Sequence, residues 1–274
     1  MSLLTIPRSL INISPPNDES SPNMNSKLLD EQSFQAREQD ILDAAIALID
    51  KQGIESITMD KVVLVVPYSK GTVYKHFLGK EDLFLAIGNR AMRVMLDLFA
   101  RSARYEGGTR ERMLLLNISY LLYAILHPVL FQSMQCAKSP SVYCKSSEQR
   151  LQEQELLESK VMETIAGIVG DAEESNHLSV PAHMTPQQVC FSTWTIGFGA
   201  ISLLAGELDQ CSGSEGLIVE REMLNQYNLL LDGYQWLPLS KDKDYESALQ
   251  LALGIVFPKE LDLLKERERE FNFS

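Results

Sequence analysis

The amino-acid sequence predicts an all-α protein with a small N-terminal helical domain and a larger C-terminal helical bundle. Apolar residues recur at spacings of three and four, as in Ile41, Ala45, Leu48 and Ile49, which places them on one face of a helix. Segments rich in glycine, proline and serine interrupt this pattern and mark loops. No alternating pattern typical of strands competes over 109–270, so an α/β enzyme fold is not expected.

Charge is distributed unevenly along the chain. The 274 residues carry a formal net charge of −12, which by itself argues against a nucleic-acid partner. Residues 37–93, however, hold equal numbers of basic and acidic side chains, so the negative charge lies elsewhere. Within 58–80, four lysines stand against the single acid Asp60. A small basic face on an acidic body is a usable electrostatic footprint for a nucleic acid.

The N-terminal part divides into an arm and a helical domain. Residues 1–36 are rich in proline, serine and asparagine, and they are predicted to form a flexible arm. The helical domain is predicted to span 37–84, with a first helix at 37–52 that Gly53 ends. The larger helical domain would then occupy 85–274.

Residues 58–83 are predicted to form short helices with apolar side chains on the inner face and polar side chains on the outer faces. Thr58 is predicted to cap a second helix and Ser69 a third, because hydroxyl oxygens accept backbone N–H bonds at helix starts. Val73 and Phe77 are four residues apart in the third helix, so both point inward. Cations, a hydroxyl and a phenol remain on the outer faces and suit phosphates and base edges: Lys70, Thr72, Tyr74 and Lys75.

Residues 41–86 resemble the DNA-binding domain of the TetR family of one-component transcription regulators. The similar blocks occur in order at the spacing of the family: Ile41 to Ala45, Gly53, Ile57 to Met59, Ser69 to Tyr74, His76-Phe77, and Lys80 to Leu83. The resemblance implies a three-helix helix-turn-helix domain whose third helix reads double-stranded DNA. The implied DNA-binding residues are Thr58, Ser69, Lys70, Gly71, Thr72, Tyr74, Lys75, His76 and Lys80.

Thr72 and Lys75 are the better candidates for base contact. Lys70, Tyr74 and Lys80 are expected mostly to hold phosphates. Lys80 also lies at a helix N-terminus, a position that favours phosphate binding.

The sequence departs from the family pattern between the second and third helices. Val66-Pro67 replaces the Ala-Gly pair that is usual in the family, and proline pushes the preceding residue away from helical geometry. We therefore expect either a second helix that ends about one residue early or a tilted third helix. Leu64 and Val65, which are usually polar in the family, are expected to contact the larger domain.

The larger domain is predicted to contain a connecting helix at 80–104 and a small-molecule pocket beside the break at Pro128. Further helices are predicted at 109–126, 128–137, 147–169, 185–208, 217–235 and 243–270. Aromatic and polar groups among apolar residues are typical of ligand sites, although an ordinary core is the alternative. The candidate lining residues are Asn117, Tyr120, Tyr123, His127, Phe131, Met134, Trp194 and Phe198.

Two helices are candidates for a homodimer interface. Residues 195–206 are apolar on nearly all sides, and Gly197, Gly199 and Ala200 would allow another backbone to approach closely. The resemblance implies a homodimer through a four-helix interface built from helices at about 185–208 and 217–235.

The four cysteines lack metal-binding spacing, so neither a metal nor another cofactor is expected. Cys136 and Cys144 could pair or sense oxidants, whereas buried free thiols are the favoured alternative. No apolar run reaches the ~20 residues of a membrane span, and the N-terminus lacks the apolar core of a signal peptide. These features predict a cytoplasmic protein that does not contact a membrane.

The resemblance implies a homodimeric regulator that binds a palindromic operator, most simply a repressor released by a small-molecule effector. The alternative is a helical adaptor or ligand-binding protein of the same fold with weak or no sequence-specific DNA binding. No catalytic residue is predicted, because the sequence offers no nucleophile–base pair and no glycine-rich phosphate loop after a strand.

Overall fold

The computed structural model describes residues 24–204 and 216–273, with side chains from Asp30 onward. Within these ranges the chain forms twelve α-helices, a short 3-10 turn at Ile54–Ser56 and no strand. The all-α prediction is confirmed. Two compact units are distinguished, residues 1–40 and residues 41–274. The domain limits predicted at 36/37 and 84/85 stay predictions.

The helices have the following bounds: α1 Met24–Gln52, α2 Met59–Val65, α3 Lys70–His76, α4 Lys80–Ala103, α5 Thr109–Leu126, α6 Pro128–Ala137, α7 Pro140–Lys145, α8 Glu148–Glu174, α9 Pro186–Leu204, α10 Val219–Gly233, α11 Tyr245–Val256 and α12 Pro258–Glu266. Helices α5 and α6 have the predicted bounds. The short α7 lies in the stretch left without a predicted helix between 128–137 and 147–169, and it can form because proline is tolerated in the first turn of a helix.

Helix α1 begins at Met24, within the segment predicted to be a flexible arm. Residues 24–36 include leucine, glutamate, glutamine and lysine, which have high intrinsic helix propensity. The first helix is therefore longer than the predicted 37–52. Residues 1–23 of the predicted arm lie outside the described part of the chain.

Helices α2 and α3 form the predicted helix-turn-helix. Both predicted caps are confirmed: the Thr58 side chain accepts a hydrogen bond from the Lys61 amide at 3.3 Å, and the Ser69 side chain accepts one from the Thr72 amide at 3.1 Å. Val73 and Phe77 are fully buried, which confirms their inward orientation. Together these contacts fix which face of α3 remains available to a partner.

The turn before α3 accommodates Pro67 by ending α2 at Val65. Val66 is extended, with φ −105° and ψ 151°, as expected for a residue that precedes proline. The expected contact of Leu64 and Val65 with the larger domain was wrong, since their side chains are 84% and 51% exposed. The buried face of α2 follows Met59 and Val62, and Leu64 projects from the opposite side.

Helix α4 is the central element of the larger bundle and packs against α5, α6, α7 and α8. Its contact with α6 is very close at Gly88, where an added Cβ would lie 2.6 Å from the Cβ of Ala137. A second close approach occurs in α9. A Cβ on Gly197 would lie 2.4 Å from the hydroxyl of Tyr227, which donates a hydrogen bond to the Thr193 carbonyl at 3.1 Å.

Among the described helices, none alone is long and apolar enough to cross a membrane. Helices α5 and α6 would meet the length and composition criteria only as a pair, and the pair is bent by 104°.

Candidate DNA-contact face and small-molecule cavity

The exposed face of α3 presents a compact set of polar side chains. Ser69, Lys70, Tyr74 and Lys75 are exposed, Gly71 lies beside them, and the side chain of Thr72 is half-buried. Ser69 and Thr72 hydroxyls lie 2.9 Å apart, so the cap also fixes the Thr72 side chain. We call Lys70, Thr72, Tyr74 and Lys75 the contact face.

The two lysines of the contact face have different surroundings. Lys70 Nζ donates to Asp60 Oδ1 at 2.8 Å, and it lies 5.7 Å from the ring centre of Tyr74. The hydrogen bond and the charge of Asp60 raise the pKa of Lys70. Lys75 has no ion-pair partner among the described residues. Lys75 is therefore the uncompensated charge of this face, whereas a phosphate that binds Lys70 must compete with Asp60.

His76 does not share the contact face. Its side chain is only 6% exposed, and its ring lies 6.2 Å from that of Phe77. Its carbonyl oxygen accepts a hydrogen bond from Arg150 Nη2 at 3.0 Å. This position does not favour the predicted direct contact of the imidazole with DNA; instead, the His76 backbone fastens the end of α3 to α8.

Thr58 and Lys80 flank the contact face at two helix starts. Thr58 is exposed and caps α2. Lys80 is half-buried, with its Nζ 3.5 Å from the Glu55 carbonyl oxygen and 5.2 Å from the ring centre of Phe84. Both positions are compatible with phosphate contact, which stays a prediction for each residue.

A buried carboxylate joins the DNA-contact region to α8. Asp82, only 1% exposed, accepts hydrogen bonds from the Leu78 amide at 3.0 Å and from the amide and hydroxyl of Ser147, each at 2.9 Å. Arg150 Nε lies 3.5 Å from the same carboxylate, and its guanidinium stacks 4.8 Å from the ring centre of Phe77. We call Asp82, Ser147 and Arg150 the Asp82 clasp.

The Asp82 clasp could not be found from the sequence. Asp82 and Arg150 are 68 positions apart, and neither belongs to a motif that predicts their meeting. The contact continues along α8, since Asn89 Nδ2 donates to the Arg150 carbonyl at 2.9 Å and to Glu153 at 3.1 Å. The first turns of α8 are thereby tied to both α3 and α4.

A cavity of about 530 Å³ lies between α4, α5, α6, α8 and α9. Thioether and aromatic side chains make most of its wall, together with Val161, Ile165 and the buried thiol of Cys190. The methionines and aromatic residues are Met92, Met95, Met134, Met162, Phe99, Tyr120, Phe191, Trp194 and Phe198.

The structure brings half of the predicted pocket residues to this cavity, namely Tyr120, Met134, Trp194 and Phe198. The other four do not line it: Asn117, Tyr123, His127 and Phe131. Asn117 instead donates to the Met113 carbonyl at 2.8 Å within its own helix.

His127 lies at a separate surface groove, where burial lowers its pKa. The lining residues from α4 and α8 were missed, because an apolar helix face has the same sequence pattern whether it borders a core or a cavity.

The rim and the wall of the cavity differ in polarity. The charged lining residues are Lys138 and Glu158, which lie 3.7 Å apart, and Lys138 Nζ is 5.2 Å from the ring centre of Trp194. Inside, Tyr120 is 3% exposed, and its hydroxyl donates no hydrogen bond to a described atom. Burial raises the pKa of Tyr120 to about 12, a shift that the nearby indole N–H of Trp194 opposes, because a donor stabilises the phenolate. The hydroxyl is therefore a donor at neutral pH.

Residues 41–87 match the family model described as bacterial regulatory proteins, tetR family. This segment is therefore similar to the N-terminal domain of tetR-family regulators. This agrees with the helix-turn-helix that α2 and α3 form. An HTH-type transcriptional regulator of Staphylococcus aureus is 24% identical over 110 residues, which cover 40% of this chain and 59% of that protein. The chain thus spans little more than half the length of this relative.

Solved structures extend the similarity beyond residues 41–87. A tetR-family regulatory protein from Rhodococcus superposes with a TM-score of 0.55 at 13% identity, over 72% of this chain and 96% of the other. AibR in complex with isovaleryl coenzyme A and operator DNA gives a TM-score of 0.51 at 17% identity, over 73% and 100% of the two chains. At these identities the likeness shows the fold.

Apolar side chains are exposed on the two helices predicted to form a dimer. Phe191, Trp194 and Leu203 of α9 are 60%, 41% and 55% exposed, and Leu229 of α10 is 74% exposed. Helices α9 and α10 pack against each other within the chain. Residues 205–208 of the predicted first helix lie outside the described residues.

The cysteines differ in exposure. Cys136 is half-buried, Cys144 is exposed and Cys190 is buried, and all three are free thiols. The expectation of buried thiols was therefore wrong for Cys144, which lies on the short α7 that the sequence did not predict. Cys211 lies outside the described residues.

Proposed function

We propose that this protein is a homodimeric, sequence-specific DNA-binding transcription regulator, a repressor released when a small molecule occupies the cavity. The contact face of α3 is the observation that carries the proposal. It joins exposed lysines to a threonine and a tyrosine on a short helix whose opposite face is buried. A helix of this kind fits the major groove, where cations hold phosphates and polar side chains meet base edges.

The fold and its cavity support an effector-controlled role. AibR, which has a similar fold, was crystallised with both isovaleryl coenzyme A and operator DNA. In this chain, α8 reaches from the Asp82 clasp to the cavity wall at Val161 and Ile165. An effector that binds one conformation of the cavity better than another would shift the dimer toward that conformation, and so change its affinity for DNA.

The dimer would present two contact faces to one duplex. Exposed apolar side chains on α9 and α10 supply the material for such an interface. A two-fold dimer reads a palindrome, with half-sites ~34–36 Å apart or a multiple of that distance.

Selection of bound duplexes from a random DNA pool tests this proposal. The purified protein is expected to enrich a two-fold symmetric motif at moderate salt, and the K70A/K75A variant is expected to lose it. The matched control is K241A/K259A, which removes the same charge at exposed positions outside the contact face. That control should enrich the same motif as the unmodified protein.

The adaptor alternative predicts a different outcome. The Asp60–Lys70 pair favours it, because the pair reduces the positive charge of the contact face. A folded dimer that enriches no motif would favour an adaptor over a DNA-reading regulator. A motif enriched equally by both double variants would instead contradict the assignment of Lys70 and Lys75 as DNA contacts.

A further inference from the structure

The charges around the cavity restrict what it can hold. Lys138 and Glu158 are the charged side chains of the described lining; they lie at the rim and face each other at 3.7 Å. Their charges cancel, and the wall further inside contributes no charged group among the described residues. An ion moved into this space would lose its hydration without gaining a counter-charge, so the cavity favours a molecule without net charge.

The wall indicates the body of that molecule. Methionine thioethers adapt their shape to irregular apolar groups, and aromatic faces add contact area. Met92, Met95 and Met134 are buried, whereas Met162 and Trp194 are partly exposed near the rim. A volume of about 530 Å³ suits a small apolar molecule rather than a large polar cofactor.

One buried hydrogen-bond donor in the wall lacks an acceptor, whereas the lining glutamines Gln135, Gln187 and Gln188 are exposed to solvent. The Tyr120 hydroxyl is buried, remains protonated at neutral pH and donates no hydrogen bond to a described atom, since the nearby indole N–H of Trp194 is itself a donor. Buried polar groups in proteins are almost always hydrogen-bonded, so an unpaired donor at a cavity indicates a ligand acceptor. The two other tyrosine hydroxyls nearby differ: Tyr227 is bonded to the Thr193 carbonyl, and Tyr123 does not line the cavity.

We propose that the cavity binds an uncharged, largely apolar small molecule that carries one carbonyl or ether oxygen, and that the Tyr120 hydroxyl donates a hydrogen bond to this oxygen. The inference rests on the proposed effector role of the cavity and adds the chemical class of its ligand.

Three probes of similar chain length and different charge test the ligand class: 2-nonanone, octanoate and octylammonium. Each is titrated into the full-length protein without DNA, and binding is followed by isothermal titration calorimetry. We expect 2-nonanone to bind at least tenfold more tightly than either ion. Tighter binding of octanoate or octylammonium would overturn the assignment of an uncharged ligand, as would the failure of 2-nonanone to bind.

Two conservative variants test the role of Tyr120. Removal of its hydroxyl in Tyr120→Phe should weaken 2-nonanone binding about fivefold to tenfold, the usual size of one neutral hydrogen bond. Tyr123→Phe is the matched control, because Tyr123 is also buried with an unpaired hydroxyl but lies outside the cavity wall. Equal affinities of the two variants would contradict the proposed hydrogen bond.

A third variant locates the binding. Ile165→Trp places a larger side chain in the cavity and should abolish 2-nonanone binding, while circular dichroism reports whether the helices are retained. If a folded Ile165→Trp protein still binds the ketone, the ligand lies elsewhere and the inference fails. Selection of DNA by the ligand-free protein is independent of these titrations, so failure of the ligand class is distinguishable from failure of the regulator proposal.

Discussion

Lys70 and Lys75 show how a single neighbour changes the role of a charge. Both are exposed on α3, but Lys70 is held by Asp60, whereas Lys75 has no ion-pair partner among the described residues. Exposed pairs of this kind contribute little to stability, because solvent screens their charges. Their effect on DNA affinity can be larger, because Asp60 also repels nearby phosphates.

The variant Asp60→Asn is expected to bind DNA more tightly than the unmodified protein. It frees Lys70 and removes one negative charge close to the duplex, so affinity should rise several-fold at low salt for all sequences alike. Fluorescence anisotropy with the selected duplex and with a scrambled duplex measures the effect. Asp262→Asn breaks a comparable exposed pair with Lys265 on α12, at 3.2 Å, and should leave DNA affinity unchanged.

Lys75→Ala is expected to weaken DNA binding and to reduce the slope of log affinity against log salt by ~0.9 if Lys75 neutralises one phosphate. A slope that stays constant while the preferred base changes would instead assign Lys75 to a base edge. Anisotropy titrations at four salt concentrations separate the two roles. Lys80→Ala, measured alongside, should reduce the slope by a similar amount without changing the preferred sequence.

Among the helices, α8 connects the two candidate sites. Its first turns hold Asp82 and the end of α3 through Ser147 and Arg150, and its middle turns line the cavity. At a rise of ~1.5 Å per residue, α8 runs from Arg150 to the cavity wall without a break. In the proposed regulator, movement of α8 would carry a change in the cavity wall to the contact face.

Arg150→Ala is expected to lower DNA affinity about tenfold while leaving 2-nonanone affinity unchanged. Removal of the guanidinium frees the carbonyl end of α3, although Asp82 retains its bonds to Ser147 and Leu78. We expect a loss of about 1–3 kcal/mol in the free energy of unfolding, as for a buried group deprived of one partner. Hydrogen exchange should become faster in α3.

Arg112→Ala is the matched control for this prediction. Arg112 joins α5 to the far end of α8 through Asp171 at 2.8 Å, so its loss affects the same helix but not the clasp. Thermal unfolding should shift in both variants. If both also lose DNA affinity equally, Arg150 acts through general stability and does not position α3.

For the whole molecule, the proposed dimer would be formed by apolar side chains that the single chain leaves exposed. Leu229→Asp on α10 should convert the dimer to a monomer, because a charge would be buried at the proposed interface. Sedimentation equilibrium measures the mass. Leu251→Asp is the control, since Leu251 is also an exposed leucine, 64% exposed, but lies on α11. A dimeric Leu229→Asp protein would place the interface elsewhere.

Much of the molecule could be predicted from local sequence signals. Hydroxyl caps at Thr58 and Ser69, inward residues at Val73 and Phe77, and the break at Pro128 all act within one helical turn. Local rules also explain why α2 ends before Pro67. The caps and the buried face of the helix-turn-helix were therefore predictable, whereas the surroundings of Leu64 and His76 were not.

Features that depend on distant contacts could not be predicted. The sequence gives no sign that Arg150 meets the end of α3, or that Tyr120 borders a cavity while Tyr123 does not. Leu64 was mispredicted for a different reason. An apolar residue suggests burial, but the helical period places Leu64 on the outer side of α2. Whether an apolar face meets a partner helix or an empty space is decided by tertiary packing alone.

The close approach at Gly88 has a mechanical consequence. Because an added Cβ there would lie 2.6 Å from that of Ala137, α4 and α6 meet at the limit of backbone contact. If α4 slid by one residue along α6, the side chain of Ile87 or Asn89 would enter this gap and collide. This contact therefore fixes the register of α4 against α6. The two helices can tilt together, but they cannot slide past each other.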